Sequence, residues 1–149
     1  MGANLPAEYV MSLRFKTAAT GSLEGDGGTR VAVGVTGGDF DGPRLRGDIV
    51  SGSDWAFRRT SGVLEVDVRA QLRADDGVVL LLSYLGLGWA KEPSGTRVLA
   101  NVRFEAPRTS AYAWLNDEVC VAAGWATPGA VTYDVYALRE PTPAPTAGA

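Results

Sequence analysis

The stretch Leu64-Glu65-Val66-Asp67-Val68-Arg69-Ala70-Gln71-Leu72 decides how this chain is read. Leu64, Val66, Val68, Ala70 and Leu72 alternate with Glu65, Asp67, Arg69 and Gln71, so the apolar side chains of an extended chain share one face. A period of two predicts an antiparallel strand with one face in a core and one face polar, and it excludes an amphipathic helix. The turn signal Ala74-Asp75-Asp76-Gly77 ends the strand.

The same reading extends in both directions. Tyr9–Lys16, Arg30–Thr36, Arg44–Ser51 and Trp55–Arg59 precede it, and Val78–Gly86, Val98–Ala106, Tyr112–Asn116, Val119–Ala126 and Val131–Leu138 follow. Asp-Gly pairs at 26–27, 41–42 and 76–77, among 19 glycines and 8 prolines, punctuate these runs. Short strands at regular spacing with no helical segment predict an all-β, antiparallel fold. A closed barrel of about 8–9 strands is favoured over a sandwich, because closure removes the edges that long strands would leave unpaired. One domain over residues 5–139 is expected. A Pro/Ala-rich tail at 140–149 cannot bury apolar surface and is expected to be disordered.

Composition narrows the chemistry. The 149 residues include no histidine and one cysteine, which removes His-based general bases, Ser–His–Asp and Cys–His nucleophile systems, and His-containing metal sites. Cys120, in the apolar run Val119-Cys120-Val121-Ala122-Ala123, reads as a buried, unreactive thiol. Gly37-Gly38 and Gly86-Leu87-Gly88 precede no helix, so no nucleotide loop is expected. The spacing of Asp39, Asp41 and Asp48 fits no calcium loop. No cofactor and no metal are predicted. A net charge of −3 without a basic run argues against nucleic acid as a partner. The N-terminal residues carry no basic and apolar targeting pattern, and no apolar run spans a bilayer, so a cytoplasmic protein without membrane contact is the default expectation.

Proton transfer must then come from carboxylates or tyrosines, with arginines as anion-stabilising groups. The polar row of the decisive strand places Asp67 and Arg69 about 6.6–7 Å apart, where each could set the other's protonation. By periodicity alone that row is a solvated outer face. Asp54, after Ser51-Gly52-Ser53 and beside Trp55, is either a desolvated acid or a turn-forming residue. Read as a strand, Tyr112-Ala113-Trp114-Leu115-Asn116 presents Tyr112, Trp114 and Asn116 on one face, an aromatic surface ending in an amide. Arg103 takes the corresponding polar face of Val98–Ala106.

Several of these segments form an ordered set: Phe40-Asp41-Gly42-Pro43-Arg44-Leu45-Arg46-Gly47, Gly52-Ser53-Asp54-Trp55, Ser61-Gly62-Val63, Asp67-Val68-Arg69, Asp75-Asp76-Gly77, Arg103-Phe104-Glu105, Tyr112-Ala113-Trp114-Leu115-Asn116 and Val131-Thr132-Tyr133-Asp134-Val135-Tyr136. Their order and spacing resemble the domain-of-unknown-function family 3237, also called UPF0311. That resemblance implies a lipocalin-like (calycin-like) barrel with a central pocket, often a homodimer, acting on modest organic molecules. It also implies that Asp54, Trp55, Asp67, Arg69, Arg103, Tyr112, Trp114 and Asn116 recur for a reason, which moves the expectation for several of them from the outer face to the lumen or its mouth. The chain departs from the family pattern at Ser53, at Asn101-Val102-Arg103 and in a shortened 88–97 connection.

The resulting expectation is a cofactor-independent isomerase, lyase or cyclase acting on an aromatic or polyketide-like substrate. Asp67 or Asp54 would move the proton, Arg69 and Tyr112 would stabilise charge, and Trp55, Arg103, Trp114 and Asn116 would bind substrate. The alternative is a barrel that binds a small hydrophobic ligand without catalysis.

Overall fold

A computed structural model describes residues 2–91 and 93–141, so the predicted tail from residue 142 onward lies outside the described residues. Eight strands form one closed antiparallel barrel in sequence order: β1 (Ala7–Gly25), β2 (Gly28–Asp41), β3 (Arg46–Arg59), β4 (Leu64–Ala74), β5 (Val79–Lys91), β6 (Gly95–Glu105), β7 (Cys120–Thr127) and β8 (Ala130–Leu138). Closure is made by β1, which pairs with β2 on one side and β8 on the other. The decisive stretch becomes β4. Val66, Val68, Ala70, Leu72 and Ala74 are buried, as the alternation predicts. Two of the predicted hairpin signals sit where expected: Asp26-Gly27 links β1 to β2, and Asp76-Gly77 lies in the β4–β5 turn. Gly27 and Gly77 have φ of +88° and +87°, the left-handed region that glycine enters at least cost.

Three predicted segments are corrected. Arg44–Ser51 and Trp55–Arg59 belong to a single strand, β3, because Ser51-Gly52-Ser53 is paired with β4 rather than turned. Tyr112–Asn116 is not a strand. Ala113–Asp117 forms a 3-10 helix in the β6–β7 connection.

The barrel has two unlike ends. At one, short turns join β1–β2, β3–β4, β5–β6 and β7–β8. The other holds the β2–β3 and β4–β5 turns and the long β6–β7 connection, and it is filled. Met11, Leu13, Phe40, Leu72 and Leu80 are at most 1% exposed there, and Leu115 of the 3-10 helix is fully buried among the core residues. Full burial of each such side chain stabilises the fold by about 1.5–3 kcal/mol. The connection is held in place by its polar groups. Asn116 Nδ2 donates to the Ala106 carbonyl at 3.0 Å, and its Oδ1 accepts from the Ala106 amide at 2.8 Å. The Arg44 guanidinium lies 3.9 Å from the centre of the Trp114 ring. The outer face of β5–β7 is less polar than alternation predicts, with Leu85, Leu99 and Val121 exposed.

Candidate functional site

Packing stops short of the turn-rich end, leaving a lumen cavity of about 400 Å³. Its walls are apolar, with Phe15, Val35, Val66, Val68 and Val98 from four strands. Asp54 is the one carboxylate among the described lining residues. Its place there depends on a local irregularity. The β3–β4 register shifts between Ile49 and Ser51, so Ile49 faces Leu72 while Gly52 and Asp54 face Ala70 and Val68. An extra residue in one strand reverses the facing of every side chain beyond it. Without the bulge, Trp55 would enter the lumen and Asp54 would face solvent.

The pairing lapses between Asp54–Val68 and Phe57–Glu65, and there the Asp67 amide donates to Asp54 Oδ1 at 3.0 Å. Desolvation raises the Asp54 pKa to about 6, opposed by the Asp67 amide and reinforced by the Asp67 charge. Beside Asp54 stand two tyrosines. The Tyr84 and Tyr133 rings meet edge-on with centroids 5.1 Å apart, and each lies 6.2 Å from the Phe15 ring. Their hydroxyls interact, and burial drives both phenol pKa values far up. Both therefore stay protonated and can donate hydrogen bonds.

The other predicted site residues lie elsewhere. Asp67, Arg69 and Arg103 are exposed on the outer face, where register aligns Arg69, Ser83 and Arg103 in one row. Trp55 is 62% exposed on the outside, so the desolvation of Asp54 comes from the lumen walls and not from its aromatic neighbour. Tyr112, Trp114 and Asn116 belong to the closure at the filled end. Of the eight residues, several of which were expected at the lumen or its mouth, Asp54 alone lines the lumen cavity. Asp67 touches the site through its backbone amide, while its outward side chain acts on Asp54 only through charge. Periodicity had read its strand face correctly as solvated.

Arg69, Arg103 and Asn116 do border a larger concavity, an exterior groove of about 840 Å³ with Ser83 and Glu105. It is polar and open to solvent. The lumen is the chemically distinctive place. Tyr84 and Tyr133 escaped the sequence reading, although each sits in an alternating row of inward residues: Leu80-Leu82-Tyr84 and Tyr133-Val135-Ala137. A phenol on an otherwise aliphatic inner row was the available signal. Cys120 is buried as expected, and desolvation pushes its thiol up to about 11.

A family model described as "Protein of unknown function (DUF3237)" matches residues 6–138. The chain belongs to the DUF3237 family. No curated protein matches it. Among solved structures it is similar to a β-barrel-like protein from Acinetobacter baumannii AYE, with 26% identity, a TM-score of 0.80, and 93% of this chain and 99% of that one covered. A conserved protein of unknown function from Rhodopseudomonas palustris superposes with a TM-score of 0.85 at 20% identity, over 93% and 100% of the two chains. An enzyme from Penicillium herquei shares 20% identity and a TM-score of 0.69, over 93% of this chain and 100% of its own.

In this DUF3237 chain the tyrosine pair needs a glycine opposite. Gly124 faces Tyr133 across β7 and β8, and a Cβ at 124 would overlap the Tyr133 ring. Gly124→Ala is therefore expected to cost about 1–3 kcal/mol of stability, as overpacking does, and to push the ring into the cavity. Denaturant unfolding measures the first effect and weakened binding of an apolar probe the second. A variant as stable as the parent would show that the ring has room to move.

Proposed function

We propose that this DUF3237 protein is a cofactor-independent enzyme of the isomerase, lyase or cyclase type, binding an apolar, aromatic or polyketide-like substrate in the barrel lumen. One observation carries the reading: a carboxylate with a pKa raised to about 6 inside a mostly apolar cavity. Near neutral pH most of Asp54 is ionised, yet it is a far stronger base than an ordinary aspartate. It removes a proton from a C–H or O–H of the bound substrate and becomes the neutral acid. Electron density moves to a carbonyl oxygen, where Tyr84 or Tyr133 donates a hydrogen bond to the developing oxyanion. The same carboxylic acid returns the proton at a second atom, which completes an isomerisation or a ring closure with no net change in atoms. The cavity walls contribute by restricting the substrate to reactive conformers.

A generic probe tests this without the natural substrate. In 5-nitrobenzisoxazole a base removes the C3 proton as the N–O bond breaks, giving a coloured cyanonitrophenolate. The protein is expected to accelerate this ring opening saturably, with a rate that rises with pH through about 6 as Asp54 ionises. Acceleration that survives in Asp54→Asn would remove the carboxylate mechanism.

The hydrogen bond from the Asp67 amide supports a second reading, in which Asp54 bridges a gap between β3 and β4 in a barrel that only binds hydrophobic ligands. Under that reading an apolar probe binds and no turnover occurs at any pH.

A further inference from the structure

We propose that Arg58, at the mouth of the cavity, selects apolar substrates carrying an anionic group at one end and orients them with the opposite end at Asp54. The inference rests on the lumen being the substrate site. Beyond the β3 bulge, Asp54, Ala56 and Arg58 follow one another on the inward face, and all three line the cavity. Arg58 is exposed where β3 turns into β4. Among the described lining residues, Asp54 and Arg58 are the two that carry charge.

Four of the other eleven arginines make ion pairs among the described residues, and Arg58 differs from the remaining ones in lining the lumen cavity. Arg14 binds Asp39 and Asp41, Arg46 binds Asp75, Arg59 binds Glu65, and Arg139 binds Glu8 and Glu118. The neighbouring Arg59 takes up Glu65 on the outer face at 2.7 Å. Among the described residues no carboxylate makes an ion pair with Arg58. Its guanidinium is a five-donor fork that holds carboxylate, sulfonate or phosphate oxygens in two parallel hydrogen bonds.

Position sets orientation. Asp54 and Arg58 are four residues apart on one strand, about 13 Å between Cα atoms at about 3.3 Å per residue. An anion placed deep in the lumen would meet the Asp54 carboxylate in a medium that screens poorly, whereas at the rim it meets Arg58. The apolar body between them then fills the walls of Val66, Val68 and Val98. Cationic ligands are disfavoured at the mouth, and neutral ones lose the orienting contact.

Two fluorescent probes with one scaffold make the test. N-phenyl-1-naphthylamine is neutral, and 8-anilinonaphthalene-1-sulfonate adds a sulfonate. The sulfonate probe is expected to bind roughly tenfold more tightly, a preference that shrinks at high salt. Arg58→Gln should abolish the preference while leaving the neutral probe unaffected, and Arg58→Lys should restore part of it. Val33→Trp, which narrows the cavity, should weaken both probes, with Val131→Trp as a second blocking variant. If both blocking variants weaken binding but Arg58→Gln keeps the preference, or the parent shows none, the role of Arg58 fails and the lumen site stands. If neither probe binds, or the blocking variants change nothing, the lumen reading falls and this inference with it.

Discussion

Asp54→Asn is expected to lower carboxylate-dependent turnover by roughly 10²–10⁴-fold, the usual contribution of a positioned general base, while apolar ligands still bind. Asn keeps the shape of the side chain and an oxygen for the Asp67 amide, so the β3–β4 junction survives. The same substitution should alter stability with a definite pH dependence. The folded pKa of Asp54 is raised above its ordinary value of 3.8 to about 6, so its neutral form is the one that the fold favours. That contribution is fully present below about pH 3.8 and is lost as pH rises through about 6. Two pKa units correspond to about 3 kcal/mol. Partial solvent access to this half-buried group reduces the expected effect to on the order of 1–2 kcal/mol. Measured by denaturant unfolding, Asp54→Asn should therefore gain on the parent by that amount between about pH 4 and about pH 7. A parent–variant difference that stays flat over this range would mean that Asp54 is solvated. Asp67→Asn is the comparison variant: its side chain points outward, so turnover should persist, and loss of its charge should shift the pH-dependent difference only slightly toward lower pH.

Leu115→Ala is expected to destabilise the protein by about 2–5 kcal/mol, as for a fully buried leucine, although residue 115 sits in a connection and not in a strand. Leu115 is the apolar anchor of the 3-10 helix, and its loss leaves a cavity among core residues at the filled end. Asn116→Ala tests the polar half of the same closure. It removes two hydrogen bonds to Ala106 at an exposed position and should cost about 1–2 kcal/mol. Urea unfolding of both variants measures the ranking. An Asn116→Ala loss exceeding that of Leu115→Ala would show that the connection is held by its hydrogen bonds and not by its buried side chain. Neither change should affect lumen binding, because the filled core lies between the closure and the cavity.

Sequence periodicity was reliable where a strand is regular and solvated on one side. It assigned Leu64–Leu72 both its conformation and its inward face, and it rated the Asp67–Arg69 row as solvent-facing. The family resemblance shifted those residues toward the lumen, and the structure returns them to the outside. Recurrence of a residue type does not state which face it occupies. Trp114 and Asn116 illustrate the point. The recurrence that the resemblance implies for them is compatible with a closure held by Leu115, the Ala106 hydrogen bonds and the Arg44–Trp114 stack, not only with a binding surface.

By itself the sequence determined the all-β antiparallel class, most strand positions, the β4 core face and a chemistry restricted to carboxylates, phenols and arginines by the missing histidine. Those properties follow from short-range alternation and from side-chain inventory, both of which are written locally. Only the tertiary structure decided which carboxylate is desolvated. The β3 bulge adds one residue against β4, and because strand facing has a period of two, that residue exchanges Trp55 for Asp54 in the lumen. Barrel closure then brings Tyr84 of β5 and Tyr133 of β8 beside Asp54 of β3, at sequence separations that no local pattern encodes.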